Sequence, residues 1–299
     1  MTAMDTTQEP SPAPDDSRGS PLAIVCGSGR LPFAVADAVL RRGRAVQLFA
    51  LDGWADPSSV ARYPHYWIAV GQAGTAWRLA REAGCRDVVC IGGMVRPPIR
   101  ALRLDWTTVK LLPRLYRLFR GGDDHLLSGL GQLFEENGFR MLGAHEVAPE
   151  ILMPEGSLGR HRPSQHDRAD IARGFALIEA IGSFDVGQAV VVAHNRVLAI
   201  EAAEGTDAML ARVADLRRAG RLSAPAGAGV LVKAPKPAQD RRFDLPSIGP
   251  VTVAAVKQAG LAGIGVRAHG VIVAELAALV EAADDAGLFV VGVAPGEPR

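Results

Sequence analysis

The chain has 299 residues, 48% of them hydrophobic, with 33 basic side chains against 32 acidic ones. That is enough apolar material for two domains with buried cores, and a net charge of +1 offers no long-range field for nucleic acid, so any phosphate recognition is local. The three cysteines, Cys26, Cys85 and Cys90, have neither disulfide-framework nor metal-knuckle spacing and read as buried thiols of a reducing compartment.

Residues 1–20 are rich in Pro, Ser and Asp and lack the basic start and apolar core of a signal peptide, so they read as a disordered extension. No apolar run reaches the roughly 18 residues a membrane span needs, and the expected location is the cytoplasm. LAIVCGSGRLPFAVADAVLRRG then opens a strand, turns through Gly27 and Gly29, and enters a helix stopped by Gly43. Strands at AVQLFAL, YWIAV and DVVCIGG alternate with a helix around TAWRLAREAG, which predicts a parallel sheet covered by helices on both faces. The later part is helical, LDWTTVKLLPRLYRLF followed by DDHLLSGLGQLFEENG.

These elements predict a first α/β domain over 21–155 and a turn-rich linker over 156–167. The second α/β domain, 168–299, starts with a helix ended by Gly182 and continues with a hairpin turning at His194 and Asn195. A helix follows, with Thr206 placed to cap it. Next come the strand GVLVKA, a long charged loop, the helix TVAAVKQAG, strand candidates GIGVR and GVIVA, a helix at ELAALVEAADDAG and a last strand LFVVGVAP. Two dissimilar α/β domains, the first Rossmann-like, imply a cleft between them where a small ligand would sit.

Four segments carry candidate chemistry. In CGSGRLP a glycine turn opens a helix, so backbone N–H groups around Gly27, Ser28 and Gly29 could meet a phosphate. The third glycine of the dinucleotide pattern is missing and no acidic residue obviously ends the second strand, which argues against an NAD(P)-dependent oxidoreductase. EAAEGTDAMLARV places Thr206 and Asp207 at a helix start, as an acidic first turn or as a phosphate or metal contact. The loop KAPKPAQDRRFDLPSIG gathers Lys233, Lys236, Asp240, Arg241, Arg242 and Asp244 between three prolines. Its cations suit a phosphorylated substrate, and a carboxylate there could orient water or hold Mg²⁺. In DWTTVKLLPRLYRLFR the cations Lys110, Arg114 and Arg117 recur among Leu115, Phe119 and other apolar residues, a pattern that suits an anionic lipid surface as well as a core-packed helix, with Pro113 expected to interrupt it. His161 and His166 beside Asp167 and Asp170 match no zinc spacing.

Taken together, CGSGRLPFAVADA, GAHEVAPEILMPEGSLG, EAAEGTDAMLARV and LVKAPKPAQDRRFDLPSIG occur in the order found in one family. From about residue 21 onward the chain resembles the UDP-2,3-diacylglucosamine pyrophosphatases of the LpxI type, which serve lipid A biosynthesis and are unrelated to calcineurin-like metallophosphoesterases. The first motif departs from the family only in Cys26 before Gly27. The resemblance implies Mg²⁺-dependent cleavage of the substrate pyrophosphate to UMP and 2,3-diacylglucosamine 1-phosphate, with water attacking the sugar-side phosphorus. It places the catalytic carboxylate at Asp244, with Asp240 as the alternative and Lys233 beside it. Asp207 joins Asp244 and Asp240 as candidate metal ligands. Gly27, Ser28, Gly29, Thr206, Lys236, Arg241 and Arg242 are expected on UDP or phosphate. The acylated substrate raises the expectation that Lys110, Arg114, Leu115, Arg117 and Phe119 meet an anionic inner membrane. A homodimer is the default oligomer. The rival to catalysis is a regulator that binds a nucleotide sugar or lipid without cleaving it.

Overall fold

A computed structural model describes residues 19–94, 102–119, 123–184, 186–237, 239–273 and 275–295. The expected N-terminal extension falls outside the described residues except for its last two positions. The first unit comprises β1 (Leu22–Cys26), α1 (Leu31–Arg41), β2 (Val46–Leu51), α2 (Pro57–Val60), β3 (His65–Ile68), α3 (Ala73–Glu82), β4 (Asp87–Ile91), α4 (Trp106–Phe119), α5 (Asp123–Glu136), β5 (Arg140–Met141) and α6 (Ala144–Val147). Its sheet runs β3-β2-β1-β4-β5 with every pairing parallel. The chain winds outward from β1 in one direction and then restarts at β4 on the other side. That reversal opens a crevice at the carboxyl ends of β1 and β4, where Rossmann-like sheets bind ligands.

Alternation along β1 decides what covers each face. Leu22, Ile24 and Cys26 pack with Phe33, Val35 and Val39 of α1, while Ala23 joins Trp77 of α3 and Leu133 of α5 on the opposite face. Burial pushes the thiols of Cys26 and Cys85 up to about 11, so both stay protonated at neutral pH and behave as small apolar groups. Pro113 lies inside α4 without interrupting it. Leu111, Leu115 and Leu118 pack against the sheet face and against α5, and this burial holds the helix through the missing hydrogen bond.

The second unit comprises β6 (Gly156–Leu158), α7 (Gln165–Ile181), β7 (Ala189–Ala193), β8 (Arg196–Ile200), α8 (Gly205–Arg218), β9 (Val230–Lys233), β10 (Ser247–Ile248), α9 (Pro250–Gln258), β11 (Gly263–Arg267), β12 (Ile272–Val273), α10 (Leu276–Ala286) and β13 (Phe289–Val293). Six strands form one sheet in the order β6-β13-β11-β9-β7-β8. Its centre, β13-β11-β9, is parallel, and the hairpin β7–β8 and the short β6 add antiparallel edges. Ile171, Phe175 and Ile178 of α7 cover one face, and Leu210, Val256 and Leu279 of α8, α9 and α10 cover the other.

Several local expectations change. The segment 156–167 is more than a connection, since β6 pairs with β13 and Ser164 caps α7 in a reciprocal box with Asp167. The carboxylate of Asp170 is 2% exposed and accepts from the backbone N–H groups of His194 (2.9 Å) and Asn195 (2.5 Å), fixing the hairpin turn rather than a phosphate or a metal. GVIVA contributes only β12, which pairs with β10 outside the main sheet. The units meet where Met153 donates its N–H to the carbonyl of Val271 (2.8 Å) and accepts from the N–H of His269 (2.9 Å), and where Ile272 enters the core beneath α1.

Candidate active site

A cleft of about 510 Å³ lies over the crevice between β1 and β4. The first unit lines it with Ser28, Gly29, Arg30 and Gly93, and the second with Arg241, Arg242, Asp244, Ser247, Gly249 and Thr252. Two of the three residues of the glycine turn thus reach the cleft. Gly27 serves another purpose, because a Cβ there would lie 2.7 Å from the carbonyl oxygen of Gly93 and 2.8 Å from the backbone of Gly92. Only glycine lets the ends of β1 and β4 approach this closely. The two loops are then stitched together, Ser28 N–H to Gly93 O (2.8 Å), Gly93 N–H to Ser28 O (3.0 Å) and the Ser28 hydroxyl to Gly93 O (2.9 Å). Gly29, at φ +91°, turns the chain into α1 with open space on its Cβ side. An acidic residue does follow β2: Asp52, one position past the strand, pairs with Arg103 at 3.7 Å.

The carboxylate of Asp244 belongs both to the wall of this cleft and to a buried polar cluster. Its Oδ2 accepts from Gln188 Nε2 (2.6 Å) and from the side-chain amide of Gln239. Lys233, at the carboxyl end of β9 and 8% exposed, donates its ammonium to the hydroxyl of Thr206 (2.9 Å) and to the carbonyl of Ser247 (3.1 Å). The Thr206 hydroxyl donates in turn to Glu201 Oε1 (2.6 Å). Thr206 is therefore not the expected cap: α8 begins at Gly205 with no side-chain cap, and the hydroxyl is spent on the buried charges. Desolvation lowers the pKa of Lys233, and the carboxylates of Glu201, Asp207 and Asp244 act against that shift. Of the sequence candidates, the fold draws Lys233, Thr206, Asp207 and Asp244 into one electrostatic group. Gln188, Gln239 and Glu201 escaped the sequence reading because neutral amides and an acid before a helix carry no spacing signal.

The remaining loop residues are deployed differently. Asp240 accepts from Arg242 Nε (3.0 Å) and Nη2 (2.9 Å), which lowers its pKa, and Arg242 also donates to Glu135 of α5 (2.7 Å). Asp240 thus orients an arginine and ties the loop to α5, where Phe243 packs beside Leu133 and Phe134. Arg241 lines the cleft with a guanidinium that also donates to the carbonyl of His269. Lys236 is 9% exposed, with its N–H on Gln239 Oε1 at 3.0 Å. His145, in the motif before the second unit, lies near Arg241 and is held below the usual imidazole range, first by desolvation and then by that guanidinium.

Among the described residues, no group of three or more His, Cys, Asp or Glu side chains converges as a ready-made metal cage. Mg²⁺ seldom uses one: it is commonly held by one or two carboxylates, several waters and the phosphates of its substrate. Asp244 on the cleft wall fits that mode of binding, whereas Asp207 is exposed, does not line the cleft and is linked to the cluster through its charge on Lys233.

The expected lipid-facing helix is also rearranged. Leu115 packs into the core and Arg114 is clamped by Glu136 at 2.5 and 2.8 Å, so neither faces outward freely. The side chain of Phe119 lies outside the described part of the structure. The exposed apolar positions of α4 are Trp106 (72%), Val109, Leu112 and Tyr116 (61%), one stripe of the helix, with Lys110 set 5.5 Å over the Trp106 ring. Among the described residues, no helix is long and apolar enough to cross a membrane.

Comparison with known proteins places the same two units in one lineage. Residues 21–151 match the LpxI N-terminal domain and residues 154–291 match the LpxI C-terminal domain. The chain is 45% identical over 277 residues to a Caulobacter vibrioides protein named UDP-2,3-diacylglucosamine pyrophosphatase LpxI, covering 92% of this chain and 98% of that relative. With both domains matched in order and nearly the whole relative covered, the chain belongs to the LpxI family.

Proposed function

We propose that this protein hydrolyses the pyrophosphate of UDP-2,3-diacylglucosamine to UMP and 2,3-diacylglucosamine 1-phosphate, a step of lipid A biosynthesis. The observation that carries the reading is the position of Asp244, on the wall of a cleft shared by the two units and beside a buried ammonium. The UDP end lies over Ser28 and Gly29, where the strand order reverses, and the pyrophosphate reaches Asp244. Arg241 offsets charge on the phosphoryl oxygens, and Lys233 holds the field around the carboxylate. Asp244 accepts a hydrogen bond from the attacking water and directs its oxygen at the sugar-side phosphorus. A new P–O bond forms there, the bridging bond breaks and UMP leaves with the bridging oxygen, so no covalent enzyme intermediate is needed. Mg²⁺ bound at Asp244 would supply further neutralisation of the pyrophosphate.

The purified protein, given detergent-dispersed UDP-2,3-diacylglucosamine and Mg²⁺, is expected to release UMP stoichiometrically with 2,3-diacylglucosamine 1-phosphate. EDTA should stop the release and added Mg²⁺ should restore it. Tight substrate binding without UMP would replace this reading by the non-catalytic one.

The enzyme works in the cytoplasm and meets its lipid at the anionic inner leaflet through the exposed stripe of α4, with Trp106 and Tyr116 at headgroup depth and Lys110 and Arg117 beside them. Vesicles containing phosphatidylglycerol should sediment the protein, and Trp106→Ser with Tyr116→Ser should weaken that binding about tenfold. Hydrolysis of detergent-dispersed substrate should be unchanged in that variant. Equal binding of both proteins would remove α4 from the membrane contact.

A further inference from the structure

Two glutamines aim their amides at one oxygen of Asp244, and Gln239 is held so that its NH₂ group, not its carbonyl, faces the carboxylate. Gln239 uses its Oε1 to accept the N–H of Lys236 (3.0 Å), which leaves its Nε2 for Asp244 Oδ2. Gln188 is fixed through its backbone, its N–H donating to Glu201 Oε2 (2.7 Å) and its carbonyl accepting from Ala234 N–H (3.1 Å). The preceding Gly187 sits at φ +39°, and a Cβ there would lie 2.3 Å from the carbonyl oxygen of Glu201, so no other residue lets the chain pass this close. From that anchored position the Gln188 side chain reaches Asp244 Oδ2 at 2.6 Å. The other oxygen of Glu201 takes the Thr206 hydroxyl, which also receives the Lys233 ammonium. One continuous network therefore links the entry to β7, the end of β8, the start of α8, the end of β9 and the charged loop.

We infer that Gln188 and Gln239 are positioning residues for the reaction: by converging on Oδ2 they fix the plane of the Asp244 carboxylate, and with it the direction of its second oxygen. Gln188, anchored on Glu201, also sets where that carboxylate lies relative to Lys233. This rests on the reading of Asp244 as the reacting carboxylate. A loop residue between prolines has no rigid element of its own to aim it, and a small displacement of a reacting group costs orders of magnitude in rate. The two amides transfer the rigidity of the sheet to the loop.

Wild type, Gln188→Met, Gln239→Met and Asp244→Asn are compared for UMP release, together with substrate affinity and thermal midpoint. Methionine preserves length and volume and donates nothing. With one charge-assisted donor removed, kcat should fall about 10- to 100-fold, while KM stays within about threefold and the midpoint within a few degrees. Measuring both glutamine variants guards against one of them failing to fold. If either folded variant keeps kcat within about threefold of wild type, the positioning role of that glutamine is lost. If kcat and the thermal midpoint fall together, the amides serve folding only and the inference fails. Should Asp244→Asn turn over like wild type, the assignment of Asp244 itself is overturned, a result distinct from silent glutamine variants beside an inactive Asp244→Asn protein.

Discussion

Asp244→Asn is expected to bind UDP-2,3-diacylglucosamine with nearly wild-type affinity and to release UMP at least about 100-fold more slowly. The asparagine carbonyl can take the place of Oδ2 and still accept from Gln188 and Gln239, so the loop should keep its shape. What disappears is the negative charge and the second acceptor oxygen, replaced by an NH₂ group that can neither accept from water nor ligate a cation. Equilibrium binding of substrate alongside single-turnover UMP release separates the two effects. A variant that binds and still turns over would move the chemistry elsewhere, and Asp240, occupied with Arg242 in this structure, would be the next carboxylate to replace.

Lys233→Met should damage both stability and activity. The ammonium is 8% exposed and is the cation on which Glu201, Asp207 and Asp244 act. Removing the lysine leaves the buried Glu201 carboxylate without its cation, and breaking a buried pair in this way costs on the order of 3–5 kcal/mol. The Ser247 carbonyl and the Thr206 hydroxyl also lose their donor. Guanidinium melts should show a lower midpoint, and UMP release should fall about 100-fold or more because the positive charge acting on Asp244 from this side is lost. A variant as stable as wild type would mean that the lysine is carried uncharged in the folded protein.

The division of the chain into α/β units was legible because strand and helix periods are local properties of the sequence. The same holds for the hairpin at His194 and Asn195, whose φ values of 49° and 62° are those of a tight turn between short strands. Misreadings fell where a residue's partner is distant in sequence. Thr206 has the sequence context of a cap, but Lys233 and Glu201 claim its hydroxyl once β8 and β9 lie across the same sheet. Leu115 and Trp106 are both apolar residues of one amphipathic helix, and only the packing of α4 against α5 and the sheet decides that the first is covered and the second exposed. Gly27 reads as a phosphate-binding glycine until β4 arrives beside it and the backbone of Gly92 occupies the space of its missing side chain.

By itself the sequence determined the kinds of element, their order, and the loop that holds the charged groups, since these follow from periodicity, turn residues and local composition. It also supplied the four ordered motifs that mark the family. Tertiary structure alone decided which charges are used and which are spent. Asp240 and Asp244 stand in one loop with similar neighbours, yet one closes on Arg242, itself held by Glu135, while the other is gripped by an amide from the entry to β7. That choice depends on contacts up to 107 residues apart along the chain, which no local spacing encodes, and on burial, which turns an ordinary lysine and glutamate into strongly interacting partners only after water has been excluded from them.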